Sequence, residues 1–89
     1  MFYFVYVLRN KFDKSLYIGF SAHLQQRIKD HLDGKGGVTR RKKGWEPIYF
    51  EGYRSKIDAL NREKFLKGGS GRKYLNKQLK EYLSKPVAL

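Results

Sequence analysis

Residues 2–20 read FYFVYVLRNKFDKSLYIGF, and this stretch decides the fold. Residues 2–8 are continuously apolar and rich in aromatic and β-branched side chains, a composition typical of a buried strand. Residues 10–13 supply turn chemistry, and residues 15–19 have the composition of a second strand. The stretch therefore predicts a β-hairpin.

The register of this hairpin decides which side chains meet. A turn centred between Lys11 and Phe12 would set Tyr6 directly across from Tyr17 on one face of the sheet. The two phenols would then share one site, or they would be ordinary aromatic neighbours on adjacent strands. Gly19, at the end of the second strand, is predicted to permit the turn into the following helix.

The next segment predicts a helix with Ser21 as its N-cap and Gly34 at its end. Its apolar residues recur at four-residue spacing and predict a buried stripe formed by Leu24, Ile28 and Leu32. Beside this stripe, polar residues with the same spacing predict a second one, which points to the rim of the sheet and consists of His23, Arg27 and His31.

The rest of the chain adds a loop, a strand and two helices. Residues 34–44 combine glycines with four consecutive cations and predict a mobile basic loop. A third strand is predicted over residues 46–53, and a capping-box pattern opens a helix over residues 55–67. A last helix is predicted over residues 72–83, closed by Pro86.

These elements predict an α/β fold in which a small, three-stranded, mainly antiparallel sheet is flanked by three helices. The chain has 89 residues, which leaves no room for a second hydrophobic core. We therefore expect residues 1–89 to form a single domain.

The net charge and the composition narrow the range of binding partners that this protein is expected to have. The 20 Lys and Arg residues against 8 Asp and Glu give a formal net charge of +12, which favours nucleic acid, with an anionic membrane surface as the alternative. The sequence has no apolar run of about 18 residues and no signal-peptide pattern, so we expect a soluble protein. It has no cysteine, which is compatible with the cytoplasm and leaves oxygen or imidazole ligands for any metal.

The order and spacing of these residues resemble the GIY-YIG nuclease family, in particular its small stand-alone bacterial members and the N-terminal domain of excinuclease C. The resemblance covers nearly the whole chain. The family begins its first motif with Gly-Ile, where this chain has Phe-Val. The family's functional positions fall on Tyr6, Tyr17 with Gly19, Arg27, His31 and Glu63. For a late asparagine of the family, Asn76 is a candidate.

The resemblance implies a metal-dependent endonuclease that hydrolyses phosphodiester bonds in DNA. Glu63 would hold a hard divalent ion, Mg²⁺ or Mn²⁺, which takes few protein ligands. Arg27 would bind the scissile phosphate through its planar guanidinium. Tyr6 or Tyr17 would act as the base, a role that requires a nearby arginine and the metal ion to stabilise the phenolate. His31 would orient the base or donate a proton.

A second set of residues predicts contact with nucleic acid. DNA is favoured over RNA, and Trp45 offers a surface for base stacking. So small a domain has little surface for reading bases, so we expect it to recognise DNA structure, with a protein partner as a further source of specificity and a role in repair or recombination. The predicted contacts are Arg40, Arg41, Lys42, Lys43, Lys67 and Arg72.

Two other functions fit the same residues. The fold could hold DNA or RNA without cutting it, or serve as an adaptor that docks on ribosomes or repair complexes through its basic face. Arg27 and Glu63 would then be solvated charges on helix surfaces, with Lys64 as a helical ion-pair partner of Glu63. Substitution of Glu63 separates these functions from catalysis, because loss of a metal ligand should stop cleavage and leave binding intact.

Overall fold

The computed structural model describes residues 1–85 and confirms the α/β fold, which is built on one three-stranded antiparallel sheet. Its strands are β1 (Tyr3–Asn10), β2 (Leu16–Ser21) and β3 (Trp45–Tyr53), in the order β2-β1-β3. The middle strand, β1, pairs antiparallel with both neighbours and is buried from Val5 to Asn10. Because β1 is covered on both faces, its sequence is continuously apolar from Tyr3 to Leu8 rather than alternating.

Helices cover both faces of this sheet. They are α1 (Leu24–Leu32), a 3₁₀ turn (Gly37–Arg41), α2 (Lys56–Lys67), α3 (Gly69–Gln78) and the short α4 (Lys80–Leu83). Among residues 1–85, no helix has the length and apolar character needed to cross a bilayer.

The last predicted helix differs from the structure in two ways. It begins at Gly69 rather than near residue 72, and it is interrupted at Leu79, so that α4 is a separate turn. Gly71 lies inside α3. A side chain is excluded at this position because a Cβ atom there would overlap the backbone of Phe65 and Leu66 in α2. Glycine at this position therefore permits the close packing of α2 and α3. Pro86 lies outside the described residues.

The main core lies between the sheet and the pair α2 and α3. Successive side chains of a strand point to opposite faces, so Val5 and Val7 face these helices while Tyr6 faces α1 and the 3₁₀ turn. Full burial of an aliphatic side chain contributes about 1.5–3 kcal/mol. The buried cluster consists of Val5, Val7, Ile18, Ala59, Leu66 and Leu75.

On the other face, α1 buries a different stripe from the predicted one. Leu24 and Ile28 are half-buried as expected, but Leu32 is 53% exposed. His31 is buried in its place, at 2% exposure, because its ring has polar partners beneath the helix. The helix ends as predicted, and the chain turns away at Gly34 with φ at +79°.

The hairpin register was predicted wrongly by two residues. Tyr6 faces Gly19, and Tyr17 faces Leu8. The turn is longer than expected because the Asn10 side chain accepts hydrogen bonds from the backbone N–H groups of Phe12 and Asp13, and Lys14 adopts φ of 63°. A shift by an even number of residues keeps side chains on the same face, so Tyr6 and Tyr17 remain neighbours.

The predicted mobile loop over residues 34–44 is tied down at several points. Thr39, in the 3₁₀ turn, is buried at 1% exposure, and its carbonyl accepts a hydrogen bond of 3.0 Å from the Trp45 indole. The Asn10 side chain donates to the Lys43 carbonyl at 2.9 Å, and the Lys42 ammonium lies 2.6 Å from a carboxylate oxygen of Asp13. The basic residues therefore stand on a defined turn.

A polar cluster fastens β3 to α2 on the core side of the sheet. The Glu51 carboxylate accepts hydrogen bonds from the hydroxyls of Tyr49 (2.6 Å) and Tyr53 (2.5 Å) and two from the Arg62 guanidinium (2.8 and 3.0 Å). The guanidinium also lies 4.4 Å from the centre of the Tyr74 ring in α3. Burial raises the pKa of Glu51, but the hydrogen bonds from Arg62, Tyr49 and Tyr53 outweigh it and hold the pKa below its usual value.

Replacing Glu51 by glutamine should lower the free energy of unfolding by about 2 kcal/mol, because Arg62 loses its anionic partner. The native carboxyl has the lower pKa, so its charge stabilises the fold above the usual value of 4.5, and this stabilisation is lost as pH falls through the native pKa. The gap between the two proteins should therefore close below that pH. Urea denaturation at pH 7 and pH 3 measures this difference in the free energy of unfolding. Glu81→Gln, at an exposed carboxylate of α4, is the control, and an equal loss in both variants would contradict the assignment.

Candidate active site

Tyr6 is the centre of a buried polar cluster on the α1 side of the sheet. Its side chain is 1% exposed, and its hydroxyl lies 2.7 Å from Nε2 of His31 in α1. The Tyr17 ring, from β2, lies 6.4 Å from the Tyr6 ring and 5.0 Å from the His31 ring, measured between centroids. The structure thus brings three of the predicted site residues into one cluster.

Gly19 makes room for this cluster. It is paired with Tyr6 across the two strands, and a Cβ atom at Gly19 would overlap the Tyr6 Cζ and hydroxyl oxygen and lie 2.8 Å from Cε2. Side chains do not tolerate such distances without displacement. Gly19 was predicted to permit the turn into α1, but the structure gives it a different role, which is to let the Tyr6 ring lie flat against β2.

Arg27 on α1 and Glu63 on α2 both affect the pKa of Tyr6 through their charges. Burial and the neighbouring Tyr17 raise the pKa of Tyr6 to about 12, although the Arg27 guanidinium lowers it. The Glu63 carboxylate acts in the same direction as burial. Tyr6 is therefore a neutral phenol at pH 7. The predicted role as base requires Arg27 and a metal ion together to stabilise the phenolate, and in the protein alone Arg27 does not offset the effect of burial.

Behind Tyr6, the hydrogen bonds continue into the 3₁₀ turn. The His31 Nδ1 atom lies 2.6 Å from Oγ1 of Thr39, and this hydroxyl donates to the Gly36 carbonyl at 3.2 Å. Burial and the Arg27 guanidinium lower the pKa of His31, against a weaker opposite effect of Asp30, so the imidazole is neutral at pH 7. Sequence reasoning missed Thr39, because it lies in the glycine-rich stretch that was predicted to be mobile.

Glu63 lies on α2, which packs against β1 and β2. Its side chain is 19% exposed, and one carboxylate oxygen lies 3.1 Å from the Lys67 ammonium. The ion-pair partner of Glu63 is therefore Lys67 rather than the predicted Lys64, which is exposed. Lys67 and Arg72 line a groove of about 250 Å³ together with Tyr17, so these predicted phosphate contacts lie beside the tyrosine cluster.

The basic turn lies next to a second groove, of about 320 Å³, which is lined by His31, Trp45 and three of the four predicted cations: Arg40, Lys42 and Lys43. Arg41 is exposed at the end of the 3₁₀ turn. The Lys42 ammonium lies 5.7 Å from the centre of the Trp45 ring, and the Tyr17 ring meets Trp45 edge-on at 6.4 Å. Trp45 is thus partly covered by its neighbours. The sequence alone had predicted an open surface for base stacking at this residue.

The side chains near Tyr6 that could ligate a metal suit a hard cation, which prefers oxygen ligands. Among the described residues no three His, Cys, Asp or Glu side chains gather into one group, so a zinc site with several protein ligands is absent from residues 1–85. Both ring nitrogens of His31 are already hydrogen-bonded. Glu63 offers one half-buried carboxylate, which fits an ion such as Mg²⁺ that keeps most of its waters.

Comparison with known proteins identifies the family. Residues 2–78 match the GIY-YIG catalytic domain. UPF0213 protein CPE1444 of Clostridium perfringens is 40% identical over 65 residues, which span 72% of this chain and 69% of that protein. UPF0213 protein OB0043 of Oceanobacillus iheyensis is 36% identical over 62 residues, spanning 68% and 71%.

The fold agrees with a solved relative. The solution NMR structure of UPF0213 protein BH0048 from Bacillus halodurans superposes with a TM-score of 0.56 at 28% identity, covering 88% of this chain and 85% of that one. GIY-YIG nucleases generally use divalent metals and act on nucleic acid. This chain belongs to the GIY-YIG family of endonuclease domains.

Proposed function

We propose that this protein is a metal-dependent endonuclease that hydrolyses phosphodiester bonds in DNA. One observation carries the proposal: the buried Tyr6 hydroxyl lies 2.7 Å from His31 with the half-buried Tyr17 ring beside the pair, and the charges of Arg27 and Glu63 both act on the pKa of Tyr6. These groups could provide a base, a phosphate ligand and a metal ligand, which are the three needs of this reaction. The net charge of +12 supports a polyanionic substrate.

The base in this proposal is a pair rather than a single tyrosine. Tyr6 is a phenol whose hydroxyl lies 2.7 Å from a neutral imidazole. As the attacking water gives a proton to the Tyr6 oxygen, Tyr6 passes its own proton to Nε2 of His31. This route avoids a phenolate, which burial disfavours. It forms an imidazolium instead, which burial and Arg27 disfavour in the free protein, so the bound anionic phosphate must stabilise that charge. Tyr17, at the edge of the groove beside this pair, orients the water.

The cations hold the phosphate. Arg27 binds the oxygens of the scissile group, where a planar guanidinium can donate two parallel hydrogen bonds, and stabilises the charge that grows in the transition state. Lys67 and Arg72 line the groove next to Tyr17 and contact the flanking phosphates. The new bond joins the water oxygen to phosphorus, the bond from phosphorus to the leaving oxygen breaks, and that oxygen takes a proton from solvent. His31 then passes its extra proton back through Tyr6 to solvent, which restores the neutral pair.

Glu63 is the residue that would hold the divalent ion, Mg²⁺ or Mn²⁺. When bound, such an ion supplies Lewis-acid stabilisation of the phosphoryl oxygens and lowers the pKa of nearby water. The Glu63 carboxylate has one oxygen paired with the exposed Lys67 ammonium, a contact of low energetic cost to exchange for a metal.

The substrate is proposed to be a DNA structure rather than a sequence. The lining of the groove beside Tyr17 includes two cations and that of the groove beside Trp45 includes three, which suits phosphate contacts rather than the reading of base edges. Branches, flaps and single-stranded gaps are the substrate class, in repair or recombination in the cytoplasm, with a partner protein adding specificity.

Incubation with labelled duplex, single-stranded and branched DNA in Mg²⁺, Mn²⁺ or EDTA tests the proposal. We expect cleavage of branched DNA in either metal and none in EDTA. Binding without cleavage of any of the substrates would overturn the nuclease assignment and favour the binding module. Cleavage that persists in EDTA would overturn the metal requirement.

A further inference from the structure

We infer that Thr39 is a positioning residue of the proposed nuclease: its hydroxyl holds His31 as the tautomer with hydrogen on Nδ1, which leaves Nε2 to receive the Tyr6 proton. This inference rests on the proposed function for its catalytic half. Its structural half concerns the protein without substrate and can be measured separately.

The direction of the hydrogen bonds follows from one group that can only accept. The Gly36 carbonyl has no hydrogen, so both contacts of the Thr39 hydroxyl can be hydrogen bonds only if its single hydrogen points to this carbonyl, at 3.2 Å between the oxygens. Oγ1 must then accept at its other contact, the 2.6 Å approach of His31 Nδ1. Nδ1 therefore carries a hydrogen.

The neutral imidazole has only one N–H, so Nε2 presents a lone pair. The Tyr6 hydroxyl, 2.7 Å away, donates to it. Hydrogen bonds then run in one direction from Tyr6 through His31 and Thr39 to Gly36. The opposite tautomer would turn the Thr39 hydroxyl towards Nδ1. It would leave the Gly36 carbonyl with only the longer hydrogen bond, of 3.4 Å, from the Thr39 backbone N–H, inside a turn where Thr39 is 1% exposed.

The backbone around Thr39 is shaped for this contact. A Cβ atom on Gly36 would overlap Nδ1 of His31 and lie 2.5 Å from the Thr39 hydroxyl oxygen, so a side chain there would separate the two groups. The Trp45 indole donates to the Thr39 carbonyl at 3.0 Å and fixes the turn from the opposite side. Thr39 is thus held by its backbone on one side and reaches His31 with its hydroxyl on the other.

The tautomer matters because the proposed proton transfer has only one acceptor. The O–H bond of the attacking water breaks as its proton bonds to the Tyr6 oxygen, and the Tyr6 O–H bond breaks as that proton bonds to Nε2. With hydrogen already on Nε2, the second transfer has no acceptor. In serine proteases an aspartate fixes the histidine tautomer in the same way, and tautomer errors there cost about 10⁴-fold in rate.

The test replaces Thr39 by valine, which keeps the shape and removes the hydroxyl, and by serine, which restores it. Long-range ¹H–¹⁵N NMR of the free protein reports which nitrogen of His31 carries hydrogen. We expect hydrogen on Nδ1 in the wild type and in Thr39→Ser, and on Nε2 in Thr39→Val. Cleavage of branched DNA should fall about 100-fold or more in Thr39→Val and stay within about threefold of the wild type in Thr39→Ser.

Hydrogen on Nε2 of the wild-type His31, or wild-type cleavage by Thr39→Val, would overturn the inference while leaving the nuclease proposal in place. Failure of the wild type to cleave any DNA overturns the nuclease proposal and the catalytic half, whereas the NMR result still decides whether Thr39 sets the tautomer. Fluorescence of Trp45, which contacts the Thr39 carbonyl, shows whether the valine variant keeps its turn.

Discussion

Replacing Glu63 by glutamine is expected to reduce DNA cleavage by about 10³-fold or more while changing DNA affinity by less than about threefold. Glutamine has the shape of glutamate but lacks the negative charge that a divalent ion requires of its ligand. The fold should tolerate the change, because it removes an ion pair with Lys67, whose side chain is 57% exposed, and such pairs contribute at most about 1 kcal/mol. DNA binding rests on cations that the substitution leaves in place.

Cleavage assays with branched DNA and fluorescence anisotropy with the same labelled DNA measure the two effects. Glu81→Gln makes the same chemical change at a carboxylate of α4 with 87% exposure and should behave as the wild type in both assays. Undiminished cleavage by Glu63→Gln would remove Glu63 from the site. Equal loss of cleavage and binding would mean that Glu63 supports the DNA-binding surface rather than the reaction.

The elements of the fold could be predicted because each has a local signal. The strand β1 is continuously apolar up to Leu8. The N-cap of α2 is Ser55, whose hydroxyl accepts a hydrogen bond of 3.3 Å from the Asp58 N–H as the sequence pattern indicates. Such signals depend on neighbouring residues in the chain alone. They predict which segments form strands and helices, and they carry no information on how far a turn extends.

The register of the hairpin shows this limit. It is set by the Asn10 side chain, which bonds the backbone of the turn and reaches Lys43, a residue remote in sequence. No local pattern predicts that contact. The predicted pairing of Tyr6 with Tyr17 was therefore wrong in register, although the two rings are neighbours because the error was two residues and the side-chain period of a strand is also two.

The residues of the candidate site could likewise be predicted only in part. Tyr6, Tyr17 and His31 could be selected from the resemblance to the GIY-YIG family, and the structure groups them. Thr39 could not, because its contact with His31 joins the end of a helix to an aperiodic glycine-rich turn. The one sequence signal was the glycine at position 36, where a Cβ atom would overlap the His31 ring.

Replacing Gly19 by alanine should produce the second large effect, a loss of cleavage of about 100-fold or more with a decrease of about 1–3 kcal/mol in the free energy of unfolding. The new Cβ atom would overlap the hydroxyl and Cζ of Tyr6, so the ring must move. Movement of the ring disrupts the 2.7 Å contact between Tyr6 and His31, and the core beneath β1 and β2 is too closely packed to absorb the shift without cost.

Gly52→Ala is the matched control, since Gly52 lies in the same sheet and a Cβ atom there would be 3.4 Å from the nearest atom, a Phe4 ring carbon. In a strand, alanine is favoured over glycine by about 0.5–1 kcal/mol, so this variant should be as stable as the wild type or slightly more so, with full cleavage activity. Urea denaturation and cleavage at a temperature where both variants are folded separate stability from activity. Full activity of Gly19→Ala would contradict the role of Tyr6, because a displaced phenol could not transfer its proton to His31.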